Sequence, residues 1–74
     1  MSRLIRMDHT GHSTLAEWSA SDQAAYEAAV TAFRHELDQG YIGVVTEGEG
    51  RAMQVHDLPA DAELVIMRRP IAGG

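Results

Sequence analysis

The sequence predicts an α+β roll: one helix packed across a mixed sheet, in the order ββαβββ. Three observations carry that prediction. A single amphipathic helical stretch occupies about 22–38, short alternating runs lie on both sides of it, and the last run is apolar at four consecutive positions.

Arg3 to Asp8 reads as the first strand, with Ile5 and Met7 on one face and Arg6 and Asp8 interrupting the apolar run. His9-Thr10-Gly11-His12 supplies a turn, Gly11 being free to take positive φ. Ser13 to Trp18 then alternates, placing Ala16 and Trp18 on one face and Leu15 and Glu17 on the other. Two such runs around a glycine-containing loop predict a hairpin.

Ser19-Ala20-Ser21-Asp22 offers helix N-caps, and Asp22 also suits the positive end of a helix dipole. Tyr26, Ala29, Val30, Phe33 and Leu37 recur at helical spacing, whereas Glu27, Thr31, Arg34 and Asp38 fall on other faces. Gly40 is the expected stop. A helix with one apolar stripe must pack on something, and the sheet is the available surface.

Tyr41 to Thr46, β-branched and aromatic, predicts a strand entered directly from the helix. Glu47-Gly48-Glu49-Gly50 reads as a turn, and Ala52 to His56 as a short strand with Met53 and Val55 on one face. Pro59 breaks the pattern at Leu58-Pro59-Ala60-Asp61, since proline donates no ladder hydrogen bond. Glu63-Leu64-Val65-Ile66-Met67 then predicts a strand covered on both faces or lying in the middle of its sheet. A right-handed crossover through the helix would set this last strand parallel to Arg3–Asp8.

Composition bounds what the chain can do. Its 74 residues suffice for one small domain, expected over 1–69, followed by a tail at 70–74. A domain of this size buries only about 60% of the surface its unfolded chain exposes. No cysteine is present, so neither a disulfide nor a thiolate metal site can reinforce the core. No stretch approaches the ~20 apolar residues of a membrane span and no targeting segment is evident, so a cytoplasmic protein with no membrane partner is expected. The net charge of −5 argues against nucleic acid as a partner. All six basic residues are arginine, and eleven alanines accompany them, as a GC-rich genome would produce.

Asp61-Ala62-Glu63-Leu64-Val65-Ile66-Met67-Arg68-Arg69-Pro70-Ile71-Ala72-Gly73-Gly74 resembles the C-terminal segment of the small subunit of molybdopterin synthase and, less closely, the sulfur carrier of thiamine biosynthesis. The shared pattern is an acidic turn, an apolar strand, a proline, one apolar residue, a small residue and Gly-Gly. Members of that group look like ubiquitin, so the resemblance implies a β-grasp fold with a Gly-Gly tail. It also implies that Gly74 carries the reacting carboxylate, adenylated by an ATP-dependent activating enzyme and then attacked by a sulfur or amine nucleophile. Gly73 would give steric relief, Pro70 the exit direction, and Ile71 an apolar anchor in the partner, with Arg68, Arg69 and Ala72 completing the tail that the partner binds. Arg68 and Arg69 stand where the family carries more apolar residues. The chain would be a co-substrate rather than an enzyme, with no cofactor of its own. Having no lysine, it could not build lysine-linked chains.

A second expectation comes from a different class: a small non-enzymatic interaction or assembly protein, of the kind phage and mobile elements encode, docking through its tail or a sheet edge. Other candidate sites are weak. His9 and His12 with Asp8 lack the helical register and third ligand of a metal site, and read as turn residues. Trp18 reads as core beneath the helix. Glu47 and Glu49, alternating with glycine, read as solvated turn residues.

Overall fold

The computed structural model describes residues 1–46 and 50–70. The chain is α+β, with one helix and a five-stranded mixed sheet. In chain order the elements are β1 (Ser2–Asp8), β2 (Gly11–Trp18), α1 (Gln23–Asp38), β3 (Ile42–Thr46), β4 (Ala52–Val55) and β5 (Leu64–Arg68). The sheet order is β2-β1-β5-β3-β4, so the last strand in sequence is central. It pairs parallel with β1, Leu4 opposite Val65, and antiparallel with β3, Val45 opposite Val65.

The expected turn residues behave as their chemistry requires. Gly11 and Gly40 adopt φ of 120° and 93°, the left-handed region that side chains rarely enter. Asp22 caps α1, its Oδ1 accepting the Ala25 N–H at 3.0 Å. Of the expected turn Glu47-Gly48-Glu49-Gly50, the first three residues lie outside the described residues, and Gly50 is a turn residue with φ of 72°.

Strand pairing and the two-residue pleat assign the faces. Leu4, Val65, Met67 and Val45 turn toward the helix side and join Trp18, Ala29, Phe33 and Leu58 in one buried core. The helix stripe is present, with Ala29 and Phe33 buried and Tyr26, Val30 and Leu37 packed at its margin. Glu36 is buried with it, a position the apolar periodicity does not mark.

One reading of the strands is corrected, and one open alternative is decided. Leu15 was expected opposite Ala16 and Trp18, yet both Leu15 and Ala16 pack against the core. The β1–β2 register slips between Leu4 and Ile5, Leu4 facing Ala16 and Ile5 facing Thr14. Leu15 is the extra residue of that bulge, which frees it from the alternation. The four-residue apolar run of β5 marks a central strand, not one covered on both faces. Its helix side is buried at Val65 and Met67, while Leu64 and Ile66 stay half-buried on the other face.

Between β4 and β5 the chain crosses with no regular structure, and three side chains fasten it. Leu58 is buried in the core. Tyr26 Oη donates to the Leu58 carbonyl at 2.6 Å, and Trp18 Nε1 donates to the Ala60 carbonyl at 3.0 Å. The Trp18 and Tyr26 rings meet edge-on with centroids 5.9 Å apart. This crossing delivers the chain to the start of the central strand. No helix among the described residues is long and apolar enough to cross a membrane.

Candidate functional site

The sequence directs attention to the segment that follows β5. Backbone pairing of β5 ends at Met67 on the β1 side, opposite Arg6, and at Arg68 on the β3 side, opposite Ile42. Arg68, Arg69 and Pro70 are exposed. Ile71, Ala72, Gly73 and Gly74 lie outside the described residues.

Arg69 has left the ladder but keeps a contact with the domain. Its guanidinium carbon lies 4.9 Å from the centroid of the Tyr41 ring, within cation–π range. Tyr41 follows the helix stop at Gly40, and its N–H donates to the Glu36 carbonyl at 3.0 Å. The Arg6 guanidinium lies 5.9 Å from the same ring.

Arg6 is itself held. Its Nη1 donates to Glu36 Oε1 at 3.3 Å, and its Nε lies 3.8 Å from Asp8 Oδ2, too far for a hydrogen bond. Glu36 is thus a buried carboxylate with a cationic partner, which is how a charge is tolerated under a helix. Asp8 accepts from both the hydroxyl and the N–H of Thr10. These bonds, the hydroxyl first, hold its carboxyl below the usual carboxylate range.

The face of the sheet away from the helix, uncovered among the described residues, carries a second feature. Ile5, Ile66 and Val44 lie side by side on β1, β5 and β3 in one row of the register. Ile66 and Val44 are half-buried, and Met7 beside them is 47% exposed. Met7, Val44 and Ile66 line an open groove of about 750 Å³ with Arg68 and Tyr41, while Ile5 is itself buried.

The structure therefore brings the exposed Arg68–Pro70 segment next to an apolar face and an aromatic ring. Both turn-region histidines are exposed: His12 lies on β2, and His9, at the turn, lines this same groove. Among the described residues no three His, Cys, Asp or Glu side chains gather as a metal site. Sequence reasoning overlooked Glu36 and the role of Tyr41. Arg6, on the same face of β1 as the buried Leu4, was the available signal, since an arginine on a buried face implies a carboxylate partner.

Set beside known proteins, the chain matches no family model, no curated protein and no solved structure.

Proposed function

We propose that this protein is a β-grasp carrier, resembling the sulfur carriers and ubiquitin-like proteins, that acts through the carboxylate of Gly74. The observation that supports this reading is the placement of β5. The middle strand of the five, paired with β1 on one side and β3 on the other, is the one that runs directly into Arg68-Arg69-Pro70 and then, in sequence, Gly73-Gly74. A tail rooted in the central strand leaves from a rigid base. Its glycines offer no side chain to obstruct a narrow partner channel.

The chemistry is carboxylate activation. A Gly74 carboxylate oxygen attacks the α-phosphorus of ATP, forming an acyl-adenylate and expelling pyrophosphate. A hydrosulfide or an amine then attacks the carbonyl carbon and expels AMP, leaving a thiocarboxylate or an amide. The activating enzyme supplies the ATP site, and the present chain supplies the carboxylate and the docking surface.

The test starts from the intact mass of the natural protein, which must end at Gly74. Incubation with a candidate activating enzyme, ATP and Mg²⁺ should then add AMP to the terminus, and the form lacking Gly73-Gly74 should stay unmodified. A terminus that gains no adduct, with both forms behaving alike, would sink the reading.

A second reading, a non-enzymatic interaction protein, draws on the Ile5–Ile66–Val44 row and on the unpaired outer edges of β2 and β4. Light scattering separates the two. A stable homo-oligomer with a protease-protected tail favours the interaction protein, and a monomer with an accessible tail favours the carrier.

A further inference from the structure

We propose that Tyr41 is the positioning residue of the tail: its ring holds Arg69 against the domain, so that the chain leaves β5 along one direction at Pro70. The functional purpose of that direction rests on the carrier reading; the positioning itself does not.

The backbone cannot supply this restraint, because ladder pairing ends at Arg68. The first residue past the ladder is instead held through its side chain, with the guanidinium 4.9 Å from the Tyr41 centroid. Pro70 follows immediately, and its ring fixes φ near −65°. A residue anchored by its side chain and followed by a restricted φ leaves few directions for what comes next.

The platform is itself fixed. Tyr41 is tied to the helix end by its N–H bond to the Glu36 carbonyl. A second guanidinium, Arg6, stands 5.9 Å from the same ring, and two bare cations there would repel. Glu36 removes that conflict by pairing with Arg6 at 3.3 Å from a buried position. The buried carboxylate thus has a use beyond its own pair: it neutralises Arg6 and leaves the ring available to Arg69. This accounts together for a charged residue under the helix, an arginine on β1, and the arginine just before Pro70.

Two measurements test the proposal. In the ¹H NMR spectrum of the wild-type protein, the Arg69 side-chain methylene protons should lie upfield of those of Arg68, shifted by the Tyr41 ring current. The shift should survive in Tyr41→Phe and vanish in Tyr41→Leu. The second measurement is trypsin cleavage after Arg68, followed by mass spectrometry; the bond after Arg69 is resistant because proline follows it. Cleavage after Arg68 should be several-fold faster in Tyr41→Leu than in wild type and unchanged in Tyr41→Phe. Cleavage after the exposed Arg51 is the reference, because loss of fold would accelerate both sites. Arg69 protons at unshifted positions in wild type, or no selective acceleration after Arg68 in Tyr41→Leu, would overturn the proposal. Neither readout involves adenylation, so a missing AMP adduct would remove the carrier reading and leave the role of Tyr41 standing.

Discussion

At Gly43 the absence of a side chain is what allows the helix to approach the sheet. A Cβ built there would lie 2.6 Å from Phe33 Cε1, closer than real Cβ atoms approach a neighbour. Phe33 is 1% exposed and has nowhere to retreat. Gly43→Ala should therefore cost about 1–3 kcal/mol, in the range of overpacked cores, while Phe33→Leu in the same chain should recover part of the loss. Urea unfolding of the single and double variants measures that coupling. Asp8 gives a second prediction, this one in pH. Its folded-state pKa is depressed by the Thr10 hydrogen bonds, so whatever stability it lends is present above the unfolded value of about 3.9 and lost as pH falls through the folded value. Through Asp8, the β1–β2 turn should loosen in acid. Thr10→Ala should move the Asp8 carboxyl pKa upward in an NMR titration.

Among the elements, the β4–β5 crossing shows most clearly what local sequence does and does not reveal. Tyr26→Phe removes the hydroxyl that satisfies the Leu58 carbonyl, and should cost about 1 kcal/mol, typical of one hydrogen bond. The loss should appear as faster amide exchange confined to the 57–62 region, with α1 and β1 unchanged. Pro59 announced that crossing, but not the donors that fasten it, because Trp18 and Tyr26 lie far away in the chain. The same contrast holds elsewhere. Helix α1 was legible because an N-cap, a 3.6-residue stripe and a stop glycine agree with one another. The central place of β5 was legible because its apolar run and the crossover rule point the same way. The bulge at Leu15 was not, since alternation assumes an unbroken pleat. At the candidate site, Arg68-Arg69-Pro70 could be read directly, whereas the Tyr41–Arg69 and Arg6–Glu36 contacts join residues that only the fold brings together.

The whole molecule rests on one core with no covalent reinforcement, since the chain has no cysteine. At the usual stability per residue, a domain of 74 residues holds roughly 4–11 kcal/mol. Leu4 and Met7 measure how that stability is distributed across the sheet. Both lie on β1, yet Leu4 is 0% exposed in the core and Met7 is 47% exposed on the uncovered face. Leu4→Ala removes buried volume between the helix and the central strand, and should cost about 2–5 kcal/mol. For a domain this small that lowers the melting temperature by about 8–40 °C, a large share of its whole reserve. Met7→Ala should stay within about 0.5 kcal/mol of wild type, as surface changes usually do. Calorimetry of the two variants checks the contrast. If Met7→Ala proved as damaging as Leu4→Ala, the uncovered face would be buried in solution against another chain, and the isolated domain would not be the folding unit. If only Leu4→Ala destabilises, the Ile5–Ile66–Val44 face is free beside the segment that leads to Gly73-Gly74. A partner could then grip that face without competing with the core for the same side chains.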